Sequence, residues 1–204
     1  MLHYATIYPD TLGLLKEIML IPELSDFSLA GGTALALQIG HRISYDLDLF
    51  GKRPFIVDEI LDLLSPVVKV QILQQSKNIL ILDASGIKLD FVNYRYPLLH
   101  PPLTIDGIRL VSKADISAMK LAAIAGRGRK RDFTDVYFLL QEYSLKEIMD
   151  FYTQKYADGS EMMIVRSLTY FDDADMDEDV VFLKSADWDE VKKEMLKQIK
   201  SSYL

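Results

Sequence analysis

The sequence has 204 residues, of which 50% are hydrophobic, so a buried core can form without disulfide or metal staples. Its 23 basic and 30 acidic residues give a net charge of −7, which excludes a surface that attracts nucleic acid everywhere. The absence of cysteine excludes disulfides and thiolate metal sites and fits a cytosolic compartment. The sequence shows no signal peptide and no apolar run of roughly 20 residues. We therefore expect a cytoplasmic protein that does not cross a membrane.

Hydrophobic periodicity predicts helices and strands in alternation over the first half of the chain. In chain order these are a helix capped by Asp10 that ends before Pro22, a strand over residues 27–30, a helix capped by Thr33 and ended by Gly40, a strand over residues 44–50, and a helix over residues 57–64. Strands over residues 67–72, 78–82 and 87–93 follow, the last two joined by a hairpin turn, and a short strand covers residues 108–111.

The rest of the chain has helical periodicity. Helices are predicted over residues 115–125, 131–142, 145–156, 161–170 and 187–200, with the acidic residues 172–179 as a solvated loop. The fold class is thus α+β. We expect a mixed or antiparallel sheet flanked by helices in residues 1–111, followed by a helical domain in residues 112–204.

Asp46 and Asp48 form an acidic pair on the predicted strand over residues 44–50. Side chains at i and i+2 leave the same face of a strand, roughly 6.5 Å apart along the backbone. Carboxylates at this spacing suit a hard cation such as Mg²⁺ (or Mn²⁺), and two such ions support phosphoryl transfer. In the strand over residues 87–93, Asp90 alternates with apolar neighbours and is a candidate third ligand or general base, provided that the two strands are adjacent.

A glycine pair precedes this acidic strand. Gly31 and Gly32 lie between a predicted strand and a predicted helix, where backbone N–H groups can bind phosphate and glycine permits close approach. Thr33 could add a hydroxyl contact. Arg42 could bind phosphate through its forked donors, although an ordinary surface position is the alternative interpretation.

Two other metal motifs fit the sequence poorly. An EF-hand loop starting at Asp46 would have Phe50 and Val57 where oxygen ligands are required. The three histidines lack the spacing of a zinc site. A local basic cluster, residues 127–131, holds four cations in five positions and favours contact with a nucleotide or RNA over a purely solvated helix start.

Two motifs read together carry a family resemblance. Residues 29–37, LAGGTALAL, and residues 41–50, HRISYDLDLF, resemble the AbiEii/AbiGii-type toxin family of nucleotidyltransferases. Members of that family pair a Gly-Gly-Thr/Ser turn with an Arg-x-Ser-x-Asp-h-Asp-h-Phe strand, and both are complete here. The resemblance continues into residues 115–120, DISAMK, and residues 127–135, RGRKRDFTD.

The resemblance implies a polymerase-beta-like nucleotidyltransferase core that moves a nucleoside monophosphate from a nucleoside triphosphate (NTP) to an acceptor. It implies Asp46 and Asp48 as metal ligands and places Gly32 and Thr33 at the triphosphate. With the residues argued above, the candidate site comprises the metal ligands Asp46, Asp48 and Asp90; the nucleotide-binding residues Gly31, Gly32, Thr33, Arg42, Ser44, Arg127 and Lys130; and the catalytic residues Lys120 and Asp132. Lys120 would be a phosphate-binding or catalytic cation. Asp132 is favoured over Asp135, and simple pairing of both with neighbouring cations is the alternative interpretation.

Family members also suggest the partners. Some relatives are toxins of toxin–antitoxin pairs that act on the 3′ end of tRNA, so tRNA and a cognate antitoxin protein are the implied partners. Two alternatives remain open at this point: a noncatalytic nucleotide-binding interaction module, and a two-metal phosphohydrolase.

Overall fold

The structure, a computed structural model, describes residues 1–203 and divides into two compact units. The first unit comprises Met1–Arg95 and Pro102–Val111. The second comprises Tyr96–Pro101 and the residues from Ser112 onward. We expected residues 1–111 to form one continuous domain. Tyr96–Pro101 departs from this expectation, because it packs with the second unit. Over the described residues, no helix combines the length and apolar character needed to cross a membrane.

A seven-stranded sheet forms the first unit of the described chain. Its strands are β1 (Ser28–Ala30), β2 (Leu47–Gly51), β3 (Val70–Gln75), β4 (Ile79–Ala84), β5 (Ile87–Asn93), β6 (Leu103–Ile105) and β7 (Ile108–Leu110). Their spatial order is β3-β4-β5-β2-β1-β7-β6. The pairs β2/β5 and β1/β7 are parallel and the other neighbouring pairs antiparallel. The predicted mixed sheet with flanking helices is therefore confirmed.

Three α-helices accompany this sheet in the described part of the first unit: α1 (Pro9–Leu20), α2 (Gly31–Ile39) and α3 (Val57–Leu64). The predicted end of α2 is confirmed, because Gly40 adopts the left-handed conformation of a helix C-cap, with φ of 71°. Both predicted N-caps are wrong. Tyr8 precedes α1, and α2 begins at Gly31 after Ala30, two residues before Thr33.

The hairpins of the sheet follow local turn chemistry. Ser85 and Gly86 join β4 to β5 with positive φ values of 56° and 88°, as the predicted hairpin requires. Asp106 and Gly107 make a similar turn between β6 and β7, with φ of 51° and 79°. Strand β6 was not predicted, since a three-residue strand at the sheet edge is too short for a periodic signal.

The described part of the second unit is helical. It contains α4 (Lys113–Arg127), α5 (Lys130–Leu139), α6 (Leu145–Lys155), α7 (Glu161–Ser167), α8 (Asp172–Asp175) and α9 (Trp188–Tyr203). Five of these were predicted. The expected loop over residues 172–179 is wrong at its start, where α8 forms. Phe171, immediately before α8, packs its ring against Phe133 with centroids 5.2 Å apart, which ties this segment to the core.

A buried ion pair explains why Tyr96–Pro101 belongs to the second unit. Lys155 Nζ lies 2.7 Å from Asp115 Oδ1 and donates to the carbonyl oxygen of Pro97 at 2.7 Å. Asp115 also accepts from the backbone N–H of Leu99 and from the hydroxyl of Ser112. Burial acts to raise the pKa of Asp115, but its hydrogen bonds from Lys155, Ser112 and Leu99, with the Lys155 charge, outweigh burial and lower it.

Replacing Lys155 with methionine should destabilise the second unit. Both side chains of the pair are 0% exposed, so the substitution leaves a buried carboxylate without its cation, at a cost of about 3–5 kcal/mol in the free energy of unfolding. Urea unfolding followed by the fluorescence of Trp188, the single tryptophan of the sequence, measures this. Lys197→Met is the control, because Lys197 makes an exposed pair with Glu194 worth under ~1 kcal/mol. Equal losses in the two variants would contradict this account.

Candidate active site

The pairing of β2 with β5 brings two of the predicted carboxylates together. These strands run parallel, and in their register Asp48 lies directly opposite Asp90. Paired residues on neighbouring strands are about 4.8 Å apart and point to the same face. Leu47 and Leu49 alternate with Asp48 and are fully buried on the opposite face. The adjacency expected for Asp48 and Asp90 is confirmed.

Asp46 lies immediately before strand β2. The strand begins at Leu47, three residues after its predicted start at Ser44. The backbone carbonyl of Asp46 accepts a hydrogen bond from the hydroxyl of Thr33. A common face for Asp46 and Asp48 stays a prediction.

Gly31 lies against the carboxylate of Asp48. It has φ of 65°, a conformation that favours glycine. A Cβ at this position would overlap Asp48 Oδ2 and stand 3.1 Å from its Cγ. The first glycine of the motif thus makes room for the carboxylate of Asp48 at the N-terminus of α2.

The rest of the glycine motif contacts polar side chains within the protein. A Cβ on Gly32 would overlap the guanidinium of Arg42, which is buried and donates to the carbonyl oxygen of Ile43 at 2.9 Å. The buried Thr33 hydroxyl also contacts Ser44 Oγ at 2.8 Å. Arg42 is therefore not the surface residue of the alternative interpretation, and the hydroxyl of Thr33 is engaged internally. Triphosphate binding by these residues stays a prediction.

Asp90 has the chemistry of a cation ligand. Its Oδ1 atom is buried and has no hydrogen-bond partner, while its Oδ2 atom lies 2.6 Å from the ammonium nitrogen of Lys88. A buried carboxylate oxygen without a donor is costly unless a cation or donor reaches it. Among residues 1–203, no three His, Asp or Glu side chains are grouped so that they could hold a metal ion. Asp48 and Asp90 thus fit a hard cation, but the predicted triad with Asp46 is not preassembled.

The second unit holds a buried cluster around Lys120. Its ammonium nitrogen lies 2.8 Å from Asp132 Oδ1 and 2.6 Å from Asp135 Oδ2, and both carboxylates are fully buried. Arg127 adds a forked contact to Asp132, with its Nε 2.8 Å from Oδ2. Two cations thus balance two carboxylates. Lys120 contacts both Asp132 and Asp135, and the forked contact from Arg127 is made to Asp132.

The pKa of Asp132 reflects this balance. Burial acts to raise it, but the charges of Lys120 and Arg127 and their hydrogen bonds outweigh burial, so the pKa lies below its ordinary value. Asp132 is accordingly a charged, hydrogen-bonded anchor for both cations.

The basic cluster, residues 127–131, is neutralised in part by residues 172–179, the acidic segment that we expected to be a solvated loop. Arg129 lies 2.7 Å from Asp177, and buried Lys130 lies 2.9 Å from Asp179. Lys130 also stands 5.8 Å from the ring centroid of Trp188. The side chain of Asp177 is only 15% exposed, which departs from the solvated-loop interpretation, whereas that of Asp179 is 96% exposed, as this interpretation predicts. Nucleotide binding by Lys130 stays a prediction.

Arg127 has a different setting from Lys130. Its side chain is 52% exposed and lines an open cavity of about 730 Å³ within the second unit, together with Arg166 and Tyr170. Arg166 was not singled out from the sequence, because it is isolated in a helix with no charged motif around it.

The glycine turn, the paired carboxylates and the cluster around Lys120 coincide with one family model. Residues 13–202 match the model of "Nucleotidyl transferase AbiEii toxin, Type IV TA system". The chain belongs to the AbiEii nucleotidyltransferase toxin family. The expected polymerase-beta-like fold and nucleotidyltransferase activity are confirmed.

Several known proteins are similar to this chain in sequence or in fold. An uncharacterized protein of Aquifex aeolicus (strain VF5) is 38% identical over 194 residues, which cover 91% of this chain and 92% of that protein. MenT4, a nucleotidyltransferase toxin from Mycobacterium tuberculosis H37Rv, has a similar fold, with a TM-score of 0.65, 15% identity and coverage of 94% of this chain and 82% of that one. The antibiotic-resistance factor ANT(2'')-Ia gives a TM-score of 0.55 at 12% identity, covering 71% and 90% of the two chains.

Gly31→Ala should damage the AbiEii glycine motif. The alanine would need a left-handed backbone and would press on Asp48, so we expect a loss of about 2 kcal/mol or more in stability. Gly13→Ala in α1 is the control, because no atom lies within 4 Å of its added Cβ and alanine favours a helix by about 0.5–1 kcal/mol. Urea unfolding followed by circular dichroism compares them. A Gly31→Ala protein as stable as wild type would disprove the close contact.

The lowered pKa of Asp132 predicts a pH-dependent difference between wild type and Asp132→Asn. Asp132 contributes stability above its unfolded pKa of about 3.9, and this contribution is lost as the pH falls through its lower folded pKa. Wild type should therefore be clearly more stable at pH 7, and the gap should narrow below about pH 4. Urea midpoints from Trp188 fluorescence at several pH values measure it. Asp150→Asn, at an exposed position of α6, is the control, and a gap independent of pH would refute the ion-pair account.

Proposed function

We propose that this enzyme is a divalent-cation-dependent nucleotidyltransferase whose metal ligands are Asp48 and Asp90, with Asp46 supplying a further carboxylate beside them. The observation that carries the proposal is the β2/β5 register, which pairs Asp48 with Asp90 across parallel strands. The carboxylate of Asp90 supports it, because its Oδ1 has no hydrogen-bond partner and its Oδ2 is paired with an ammonium group that can move, and Mg²⁺ and Mn²⁺ prefer carboxylate oxygens.

The proposed reaction is transfer of a nucleoside monophosphate from an NTP. An acceptor hydroxyl oxygen bonds to the α-phosphorus, the bond from that phosphorus to the bridging oxygen breaks, and pyrophosphate leaves with the electron pair. Bound Mg²⁺ would neutralise the phosphates and lower the pKa of the attacking hydroxyl. Asp90 is the candidate base that takes the hydroxyl proton. The carboxylate of Asp48 lies against Gly31 at the N-terminus of α2, where it would meet the triphosphate.

Further residues enter the proposal through the family resemblance. Gly32, Thr33, Arg42 and Ser44 form one polar patch beside the N-terminus of α2, where backbone N–H groups favour an anion. Lys120 and Asp132 are proposed as catalytic, and Lys130 as nucleotide-binding. Arg127 is the best placed cation for a phosphate, since its half-exposed guanidinium lines an open cavity with Arg166.

The acceptor and the partner also come from the family. We propose that the acceptor is the 3′ end of tRNA, that the protein acts as a toxin in the cytoplasm, and that a cognate antitoxin protein counters it. The family description, a toxin of a type IV toxin–antitoxin system, supports the toxin role and the antitoxin. The net charge of −7 limits RNA contact to local surfaces such as the one around Arg127.

Label transfer tests the reaction and the site together. The protein is incubated with Mg²⁺, total tRNA and each α-labelled NTP in turn, and label in polymer is counted. Asp48→Asn and Asp90→Asn should each lower the rate by roughly 100-fold or more, because each loses transition-state charge stabilisation. Asp62→Asn, on the exposed side of α3, is the matched control and should label as wild type does.

The outcomes separate the alternatives. Equal labelling by wild type and both active-site variants would exclude the proposed ligands. Release of free nucleotide without labelled polymer would point to a phosphohydrolase. NTP binding by calorimetry without any turnover would point to a noncatalytic module.

A further inference from the structure

Lys88 forms an ion pair with Asp90, one of the two proposed metal ligands. They stand two residues apart on β5, so their side chains share the face that also presents Asp48. The Lys88 ammonium nitrogen lies 2.6 Å from Asp90 Oδ2. The other oxygen of this carboxylate, Oδ1, is buried. One oxygen of Asp90 is thus covered by protein and the other by an ammonium group.

We infer that Lys88 is a resident counter-ion that holds Asp90 and that a divalent cation must displace before it can bind there. This inference rests on the proposed function of Asp48 and Asp90. A hard cation needs a carboxylate oxygen within about 2.0–2.6 Å. Oδ1 of Asp90 is closed to solvent, and the ammonium group of Lys88 occupies the space beside Oδ2. It also repels a divalent ion at short range.

The two partners differ in their freedom to move. The side chain of Asp90 is 13% exposed, whereas that of Lys88 is 41% exposed, so the lysine can swing toward solvent while the carboxylate stays. A second carboxylate is available to it, because Asp83 on β4 lies directly opposite Lys88 in the antiparallel register. Cross-strand pairing with Asp83 therefore gives the displaced ammonium group a new partner on the same face.

This arrangement has a consequence for metal affinity. Lys88 stabilises the carboxylate of Asp90 in the absence of a cation and competes with the cation for it. Lys88 is therefore a positioning residue that lowers affinity for a divalent ion and keeps the site unassembled until the ion arrives. Its removal should strengthen metal binding, which is the opposite of what removal of a ligand does.

Binding of Mn²⁺ alone tests the inference without any turnover. The concentration of free Mn²⁺ is followed by electron paramagnetic resonance during titration into the full-length protein. Lys88→Met removes the ammonium group and keeps an unbranched side chain, so its Kd for Mn²⁺ should fall by about tenfold. Lys88→Arg keeps a cation near Asp90 and should stay within about twofold of wild type.

The control is Lys77→Met. Lys77 lies in the turn between β3 and β4, so its removal changes the net charge equally without touching Asp90. It should alter the Kd by less than about twofold, because exposed charges at longer range are screened. Mn²⁺ affinity that is unchanged or weaker in Lys88→Met, or that rises equally in Lys77→Met, would overturn the inference.

Asp48→Asn distinguishes this inference from the proposed function. If Asp48→Asn loses Mn²⁺ binding while Lys88→Met matches wild type, the metal site stands and the role of Lys88 fails. If Asp48→Asn binds Mn²⁺ as wild type does, the proposed ligands themselves are wrong.

Discussion

The parallel pairing of β2 with β5 is the constraint on which the first unit depends. Its register sets Asp48 beside Asp90, and it does so because Leu47, Leu49, Leu89 and Phe91 must all face the core. A slip of one residue in either strand would turn its leucines outward and its aspartate inward, so burial of the apolar face fixes the register. Gly31 then completes the arrangement, since only a residue without a side chain fits against Asp48. The proposed metal chemistry thus depends on the same packing that stabilises the sheet.

The second unit relies on buried charge. Asp115 pairs with Lys155, and Lys120 bridges Asp132 and Asp135, with all five carboxylate or ammonium groups almost inaccessible to solvent. Buried pairs offset a large desolvation cost only when their hydrogen bonds are complete. Asp115 meets this condition with donors from its own helix cap and from Leu99. The cluster around Lys120 therefore has a structural role that would be required whether or not Lys120 also contacts a phosphate.

Sequence patterns predicted some elements closely and missed others for physical reasons. The bounds of α3 and β5 match the predictions, because a full amphipathic period or strict alternation specifies each one. The starts of α2 and β2 were wrong, since Thr33 bonds to the backbone of Asp46 rather than capping a helix, and this contact spans 13 positions. The acidic residues 172–179 were expected in solvent, but Asp177 among them pairs with Arg129. The two residues are 48 positions apart, and no local sequence pattern reports a contact at that separation.

The sequence by itself determined the glycine motif, the acidic pair and the family. It also determined that Asp48 and Asp90 each alternate with apolar residues and so lie on the polar face of their strands. These features are local, so spacing along the chain is sufficient to read them. Tertiary structure decided that Asp48 and Asp90 are neighbours, that Asp46 lies outside β2, and that Arg42 is buried against Gly32. It also decided that Lys130 meets Asp177 and Asp179. Strand pairing and ion pairing join residues distant in sequence, and their outcome depends on which arrangement buries the apolar surface and satisfies the charges.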